Sequence, residues 1–272
     1  KKPTGCVSMT RTRQAAPRIQ VWIPDYHSSA GGIQTFSRFF IEAIGACLPE
    51  AQVSVLSKND DSYPAFYAGR KRWTFRCAGW WPMPYRNLIF AGQLASRAAM
   101  ERPDLILTTH AHFSAAASAL KGLLGIPYGV VAHGIEVWNV SSERTRKGLQ
   151  QANRILAVSQ YTRQQVSSVL NLDPTLVELL PNTFSPEEFN PAPKPIHLLR
   201  RYDLAPDQPV ILTISRLAGA ERYKGYDQIL HSLVRLRKSL PSIRYVLGGR
   251  GRDHARIEQL ARDLGVADLL IM

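Results

Sequence analysis

Residues 19–47 read IQVWIPDYHSSAGGIQTFSRFFIEAIGAC and contain the local pattern on which the fold class rests. The first six letters, IQVWIP, are rich in β-branched and aromatic residues and end at a proline, which predicts a short buried strand. After Gly31-Gly32 the apolar residues recur at helical spacing. They are Ile33, Phe36, Phe40 and Ile44. The stretch therefore predicts a strand, a glycine turn and an amphipathic helix in succession.

The alternation of short apolar runs with helical patterns continues along the chain. In the first part it predicts strands at 52–56, 105–109, 128–132, 154–158 and 176–180, and helices at 111–124 and 161–170. Further on it predicts strands at 210–214 and 243–247 and helices at 226–240 and 252–264. Strand–helix alternation is typical of a parallel sheet with helices on both faces, so we expect an α/β protein with two Rossmann-like units.

A proline-dense stretch marks the predicted boundary between the two units. Seven prolines fall between 181 and 209, a composition that is typical of a linker. We therefore predict a first domain at 18–185, a linker at 186–208 and a second domain at 209–272. Residues 1–17 carry no periodic apolar pattern, and we expect them to be disordered or non-native.

Composition narrows the class of protein without selecting a function. The chain has 272 residues and a formal net charge of +13, which favours anionic partners such as phosphorylated substrates, acidic membrane or nucleic acid. No apolar run is long enough to span a bilayer and no signal-peptide core is present, so we expect a cytoplasmic protein. Three cysteines, at 6, 47 and 77, form no CxxC pair and are expected to be reduced.

No pattern of residues indicates a metal, a cofactor or a nucleic-acid module. His110 and His112 flank a predicted strand end at i and i+2, without a third ligand in view. Asp60-Asp61 does not form a D-x-D metal pattern. Zinc-finger and RNA-binding motifs are absent from the sequence, so nucleic acid is not expected as a partner.

Ligands of parallel sheets bind beyond the carboxyl ends of the strands, so residues that follow the predicted strands are the candidates for a site. Gly31 and Gly32 open a helix whose N–H groups favour an anion; alternatively they serve a tight turn that requires positive φ. His133 follows the strand at 128–132 and can hydrogen-bond a ligand hydroxyl. The alternative is a histidine that only ties down its loop.

Two cations and a glycine-rich turn follow the predicted strands of the second unit. Arg216 follows VILTIS and Lys224 lies eight residues further on, before a helix, an arrangement that suits a diphosphate. A solvated basic loop is the alternative. The run 248–251, GGRG, follows the next strand and suits a phosphate or a ribose, or it is a simple turn.

Residues 70–86, RKRWTFRCAGWWPMPYR, interleave basic with aromatic side chains. Such a pattern can bind an anionic membrane interface or stack on single-stranded nucleic acid. A strand followed by a packed loop is the alternative. The candidate membrane residues are Arg70, Lys71, Arg72, Trp73, Arg76, Trp80 and Trp81.

Six segments, taken together and in order, resemble family four of the glycosyltransferases, retaining enzymes with the GT-B fold. They are AGGIQTFSRFF at 30–40, VVAHGIEVW at 130–138, ILAVSQYTRQQV at 155–166, LLPNTFSPEEFNP at 179–191, ILTISRLAGAERYKGYDQIL at 211–230 and YVLGGRGRDHARIEQLARDLGV at 245–266. Each segment alone is weak. The ordered set is specific, because chance would have to supply every one of them.

The resemblance implies a donor nucleotide-sugar linked to UDP or GDP, a glycan or lipid-linked acceptor, and no metal. It assigns Arg216 and Lys224 to the donor diphosphate and His133 to the transferred sugar, so these are the expected catalytic residues. It further implies that glycine loops contact the donor. The glycines concerned are Gly31, Gly32, Gly248, Gly249 and Gly251.

The resemblance also implies that the second GT-B domain is incomplete. The family's E-x7-E segment is expected beyond Met272, so we expect this chain by itself to be inactive as a transferase. Two alternatives stay open: a non-catalytic binding or assembly half of a split transferase, and a sugar-nucleotide epimerase, which shares the fold. The expected location is cytoplasmic, with peripheral contact at the inner face of an anionic membrane.

Overall fold

Parallel strand pairing organises both parts of the chain. The computed structural model describes residues 16–29, 31–65 and 71–272. The chain divides into a first unit that ends at Ser185 and a second unit, Pro186–Met272. Every strand pair found in the described residues is parallel, with seven strands in one sheet and three in the other. The predicted fold class, α/β with two parallel sheets, is confirmed; the expectation for residues 1–15 lies outside the described residues.

Strands and helices alternate through the first unit. The strands are β1 Arg18–Ile23, β2 Gln52–Ser57, β3 Trp73–Cys77, β4 Leu105–Thr108, β5 Tyr128–Ala132, β6 Arg154–Ala157 and β7 Val177–Leu179. The helices are α1 Gly32–Cys47, α2 Tyr85–Glu101, α3 Ser114–Leu124, α4 Ile135–Trp138, α5 Glu143–Gln150 and α6 Gln160–Leu170. Across the sheet the order is β3-β2-β1-β4-β5-β6-β7.

Apolar side chains cover both faces of the first sheet, which is why its strands are continuous apolar runs rather than alternating ones. Along β1, Trp22 belongs to one buried cluster, whereas Val21 and Ile23 belong to a second cluster on the opposite face. Gln20 is fully buried in the same strand. Its amide nitrogen donates to Glu101 at 2.8 Å and its oxygen accepts from Trp22 at 3.3 Å, so the burial leaves neither amide atom unsatisfied.

The first sheet has a topological switch point beside β1. This strand pairs with β2 on one side and with β4 on the other, so the chain builds the sheet outward in both directions from it. Ser37 of α1 and Thr109, directly after β4, share a hydroxyl–hydroxyl hydrogen bond of 2.8 Å. Open α/β sheets bind ligands in the crevice at such a point.

The second unit is a smaller version of the same design. Its strands are β8 Val210–Ile214, β9 Arg244–Gly248 and β10 Leu270–Ile271, in the order β10-β9-β8, and its helices are α7 Ile196–Arg201, α8 Tyr226–Ser239 and α9 His254–Asp263. Helix α7 lies in the stretch predicted as a linker, where no helix was expected. The Gln208 amide donates to the Ser242 carbonyl at 2.6 Å, which ties the end of that stretch to the second unit.

Most predicted elements begin and end within two residues of the observed ones, and the larger differences have local causes. The helix predicted at 111–124 starts as a 3-10 turn at 111–113 and becomes α-helical at Ser114. Helix α2 was not predicted, because its fully buried stripe consists only of Phe90, Leu94 and Ala98. In the described part of the chain, no helix is both long enough and apolar enough to cross a bilayer.

A buried carboxylate, Asp60, holds the loop after β1 against the loop after β2. It is fully buried and accepts hydrogen bonds from the backbone N–H groups of Tyr26, His27 and Ser28, at 2.6, 3.1 and 3.0 Å. The hydroxyls of Ser28 and Ser57 donate to it at 2.7 and 2.5 Å. Burial by itself raises the pKa of Asp60, but these hydrogen bonds outweigh burial and hold the pKa below its ordinary value.

The variant Asp60→Asn is expected to destabilise the first unit by about 2–3 kcal/mol, because an amide nitrogen would face donors that now meet a carboxylate oxygen. Since the pKa of Asp60 is lower in the folded state, its stabilisation is present above the unfolded-state pKa and is lost as pH falls through the folded-state pKa. Urea unfolding should therefore show a smaller loss of stability between neutral pH and about pH 3 in the variant.

The matched control is Asp61→Asn, which changes the adjacent, exposed carboxylate. It should alter the free energy of unfolding by less than about 0.5 kcal/mol at either pH. Equal effects of the two substitutions would contradict the structural role of Asp60.

Candidate active site

The carboxyl ends of the seven parallel strands lie along one edge of the first sheet. Thr109 follows β4, His133 follows β5 and Ser159 follows β6 at this edge. The Ser159 hydroxyl accepts from the Thr162 N–H at 3.1 Å, which confirms it as the N-cap of α6. This edge is the candidate site of the first unit.

His133 is half-buried and is oriented by three neighbours. Its Nε2 donates to the Thr109 carbonyl at 2.9 Å, and the Phe36 ring meets the imidazole edge to face at 4.9 Å. Glu136 accepts from the backbone N–H groups of His133 and Gly134 at 2.6 and 3.2 Å. Because Nε2 carries the proton, Nδ1 is an acceptor, and no residue in the described part of the chain hydrogen-bonds to it.

The imidazole of His133 is neutral at pH 7. Burial lowers the pKa of His133, although the hydrogen bond to Thr109 and the charge of Glu136 act in the opposite direction. A neutral imidazole with a free Nδ1 can accept a hydrogen bond from a hydroxyl group. The ring therefore ties β5 to the loop after β4, which is the structural interpretation of the sequence. A ligand contact at Nδ1 stays a prediction.

His110 is a second neutral imidazole at the same edge. Its sequence pattern indicated only that it is not a metal ligand, and it was not among the predicted site residues. Its Nδ1 accepts from the His112 N–H at 3.2 Å, and the two rings stack at 4.4 Å. Burial, followed by the neighbouring His112, lowers the pKa of His110 to about 4. The feature of the sequence that could have identified His110 as a site residue is its position immediately after the strand predicted at 105–109.

Gly31 precedes α1 and Gly32 is the first residue of the helix. Neither has the positive φ that favours glycine. Gly31 has φ of 178°, which is extended backbone, so the turn with positive φ considered from the sequence is not what these glycines provide. A Cβ on Gly32 would meet no atom within 4 Å. The first turn of α1 carries neither an acidic residue nor a side-chain cap. This helix start is therefore open to an anionic group.

A cavity of about 320 Å³ lies along the flank of α1. Its walls are mainly aromatic and aliphatic and come from α1 and the chain after β7. The lining residues are Gly32, Thr35, Phe36, Phe39, Phe40, Ala43, Leu180, Pro181, Asn182 and Thr183. Phe36 also contacts His133, so the apolar cavity and the polar edge share one wall.

The basic residues before β3 lie away from this edge. Lys71 and Arg72 line a cavity of about 470 Å³ near the amino ends of β1, β2 and β3, and Arg72 is also paired with Glu50. This cavity is larger than the one beside α1, but it is at the opposite edge from His133. Arg70 lies outside the described residues.

The aromatic residues of 70–86 do not form one surface with those basic residues. Trp73 is half-buried against a core cluster, and Phe75 is buried on the same strand. Trp80 and Trp81 are exposed and follow β3 at the carboxyl edge. Arg76 is the exposed cation within the strand. The segment is therefore a strand followed by a turn, the alternative considered from the sequence. Its side chains do not form one surface, because a strand sends alternate side chains to opposite faces and its two ends to opposite edges.

In the second unit, Arg216 and Lys224 lie in the same connection, between β8 and α8. The Arg216 guanidinium is 76% exposed and pairs with Glu221 at 2.7 Å. The Lys224 ammonium lies 5.1 Å from the ring centroid of Tyr223, and Lys224 is exposed. The Glu221 side chain is only 18% exposed, so the guanidinium is the accessible member of this pair and can still meet an anionic ligand. Their convergence on one ligand stays a prediction.

The glycine run 248–251 packs directly on the backbone that carries Arg216. A Cβ on Gly249 would lie 1.9 Å from the Ser215 carbonyl oxygen, and one on Gly251 would lie 1.8 Å from that of Leu217. Leu217 N–H donates to the Arg250 carbonyl at 3.0 Å. Close packing of two loops therefore requires glycine at 249 and 251, whether or not a ligand binds.

A network of two carboxylates around one arginine fixes the starts of α8 and α9. Arg256 donates to Asp253 at 2.6 and 2.8 Å and to Asp227 at 2.8 and 3.2 Å. The Tyr226 hydroxyl donates to Asp253 at 2.9 Å. The hydrogen bond from Arg256 is the main reason that the pKa of Asp253 is lowered. The network anchors both loops that border Arg216, and its members were not predicted from the sequence.

The polar side chains at the carboxyl edges of the two sheets are not arranged like the ligands of a metal site. Among the described residues, no group of three or more His, Cys, Asp or Glu side chains is arranged to hold a metal ion. His110 Nδ1 and His133 Nε2 are both engaged in hydrogen bonds to protein groups. The remaining polar atoms at these edges suit hydroxyl and phosphate ligands.

Two curated proteins match part of the chain. A GDP-mannose-dependent alpha-(1-6)-phosphatidylinositol monomannoside mannosyltransferase from Mycolicibacterium smegmatis is 33% identical over 144 residues, which are 51% of this chain and 36% of that protein. One subunit of the human phosphatidylinositol N-acetylglucosaminyltransferase is 28% identical over 126 residues, which are 45% of this chain and 24% of that protein. The matched regions are thus well under half the length of either relative.

The fold is shared with solved GT-B structures. Anabaena HepE in complex with UDP-glucose superimposes with a TM-score of 0.67 at 14% sequence identity, over 93% of this chain and 67% of that one. At this identity the likeness concerns the fold, and it confirms the GT-B fold expected from the sequence. The model of Glycosyltransferase Family 4 matches residues 31–188, more than half of the chain. The chain therefore belongs to Glycosyltransferase Family 4.

Proposed function

We propose that the protein transfers a sugar from a nucleotide-sugar donor to a glycan or lipid-linked acceptor. The family match over residues 31–188 carries this proposal. The polar chemistry of the two sheet edges supports it, because these edges offer neutral imidazoles and exposed cations. Both suit a substrate made of hydroxyls and a diphosphate.

In the proposed reaction, the second unit binds the donor diphosphate. Arg216 and Lys224 supply positive charge for the phosphoryl oxygens, and the start of α8 lies directly after Lys224. As the bond to the sugar breaks, negative charge grows on the leaving nucleoside diphosphate, and preorganised cations stabilise that charge. Gly249 and Gly251 allow the neighbouring loop to lie close to the backbone on either side of Arg216, and Gly248 directly precedes them. We expect no metal requirement, since these cations perform the neutralising role.

The first unit is proposed to handle the transferred sugar and the acceptor. His133 presents its Nδ1 as an acceptor for a sugar hydroxyl, while its Nε2 is fixed by Thr109. The start of α1, with Gly31 and Gly32, offers free N–H groups to an anionic group of the substrate. His110 adds a second neutral imidazole at the same edge.

The comparisons support a nucleotide-sugar donor but leave its identity open. One relative is named for GDP-mannose, and the Anabaena structure contains UDP-glucose. Both curated relatives are named for phosphatidylinositol-based reactions, which makes a lipid-linked acceptor the first to test. Retention of anomeric configuration is proposed from the family resemblance. The family match does not favour the epimerase or the non-catalytic half of a split transferase.

A panel of UDP- and GDP-sugars tests the donor assignment. One of them should raise the melting temperature of the chain, and Arg216→Ala should weaken its binding about 10- to 100-fold, because a charge-assisted contact to the diphosphate is lost. The matched control is Arg222→Ala, an arginine of the same connection. Equal weakening by both variants would mean that only the general charge of the loop matters.

The role of His133 is separable from donor binding. In a protein that joins this chain to a complete second GT-B domain, with the donor found by that panel and a lipid-linked acceptor, His133→Ala should lower the transfer rate about 100-fold or more, because a polar contact near the reacting sugar is lost. Its affinity for UDP or GDP should stay within about twofold, since the proposed diphosphate residues are in the second unit. His231→Ala, which changes an exposed histidine of α8, is the control. A parallel loss of nucleotide affinity would contradict the assignment.

Two further measurements complete the test of mechanism. Transfer by the same extended protein without substitutions should be unaffected by EDTA, and the product should have the anomeric configuration of the donor sugar in its proton NMR spectrum. Loss of activity that is restored by a divalent cation would refute the metal-independent proposal. An inverted product would refute retention while leaving glycosyl transfer intact.

A further inference from the structure

An acid-free stretch of the first unit combines positive charge with exposed aromatic residues. No aspartate or glutamate occurs between Asp61 and Glu101. The same stretch contains six cationic residues, so it is a positively charged part of a chain whose formal net charge is already +13. The six are Arg70, Lys71, Arg72, Arg76, Arg86 and Arg97.

Large apolar side chains are exposed where β3 connects to α2. Five of them fall within nine residues and are between 50 and 75% exposed; we call this group the aromatic turn, formed by Trp80, Trp81, Met83, Tyr85 and Leu88. Exposed aromatic and apolar groups clustered in this way are uncommon on surfaces that face only water. The cluster is therefore a candidate interaction surface.

Three local contacts hold the aromatic turn in place. Gly79 N–H donates to the Asp60 carbonyl at 2.8 Å, and a Cβ on Gly79 would lie 2.2 Å from the Asn59 carbonyl oxygen, so only glycine permits this approach. Arg86 donates to the carbonyls of Gly79 and Trp81, each at 2.9 Å. The exposure of the aromatic residues is thus a property of an anchored turn and not of a loosely packed loop.

The position of the turn relates it to the candidate active site. Strand β3 is the outermost strand of the first sheet and is parallel to β2. Its carboxyl end, from which the turn continues, therefore lies at the same sheet edge as His133. The basic residues Lys71 and Arg72 lie at the opposite edge, so Arg76 and Arg86 are the cations nearest in sequence to the turn.

We propose that the aromatic turn is a docking surface for an anionic lipid bilayer. Tryptophan and tyrosine side chains partition to the headgroup region of membranes, where an apolar ring and a polar N–H or O–H are both satisfied. Lysine and arginine add attraction to anionic headgroups, and the turn itself contains no acidic residue. Docking here would bring the carboxyl edge of the first sheet toward the bilayer. The proposal does not depend on the transferase activity.

Vesicle co-sedimentation of the chain tests the proposal. Vesicles of phosphatidylcholine and phosphatidylglycerol should pellet the protein at low salt, whereas vesicles of phosphatidylcholine alone should pellet much less. High salt should release most of the bound protein, because it screens the charges. Trp80→Ser/Trp81→Ser should lower partitioning about tenfold or more, because two large rings no longer leave water.

Two leucines of similar exposure distinguish membrane binding by the aromatic turn from binding by any exposed apolar side chain. Leu88 in the turn is 75% exposed, and Leu123 at the end of α3 is 79% exposed. Leu88→Ser should reduce partitioning to anionic vesicles, and Leu123→Ser should leave it unchanged. Equal effects of the two variants, or equal binding of the parent chain to neutral and anionic vesicles, would overturn the proposal.

A spectroscopic measurement keeps the proposal testable if the double serine variant does not fold. Brominated lipid in anionic vesicles should quench tryptophan fluorescence of the parent chain, and Trp80→Phe/Trp81→Phe should remove most of that quenching. Quenching that persists in the phenylalanine variant would overturn the assignment to this turn. So would a light-scattering result in which the parent chain is a dimer that both Trp→Ser substitutions convert to a monomer.

Discussion

Parallel pairing of β1 with both β2 and β4 is the constraint on which the rest of the first unit depends. Parallel strands place all their carboxyl ends at one edge, and each must be followed by a crossover to the next. Residues that are far apart in sequence, such as Ser37 and Thr109, therefore meet at the switch point, where their hydroxyls are 2.8 Å apart. The candidate ligand residues are brought together by this geometry and not by any local motif.

In each unit, buried polar groups hold the loops at the carboxyl edge of the sheet in place. Asp60 accepts four hydrogen bonds from the loop after β1 and a fifth from Ser57 at the end of β2. Asp253 and Arg256 similarly join the starts of α8 and α9. Buried carboxylates are costly unless every oxygen is satisfied, and both are satisfied here by several donors.

The two units offer complementary chemistry at their strand ends. In the first unit, burial holds His133 and His110 in their neutral form, which suits hydroxyl groups. In the second, Arg216 and Lys224 remain exposed and charged, which suits phosphoryl oxygens. A nucleotide-sugar contains both kinds of group, so membership of Glycosyltransferase Family 4 and the physical chemistry of the residues point to the same class of substrate.

The sequence by itself determined the strand–helix alternation, the fold class and most candidate residues, because hydrophobic periodicity and positions after strands are local properties. It did not predict α2 or α7. Tertiary structure decided how those residues are packed and what their surroundings do to their charge. Only packing showed that positions 249 and 251 must be glycine, because carbonyl oxygens of the neighbouring loop leave no room for a Cβ. Only packing showed that burial lowers the pKa of His110. Only strand geometry separated Lys71 from Trp80, which a linear interpretation had merged into one surface. Contacts and burial depend on distant parts of the chain, and no local pattern encodes them.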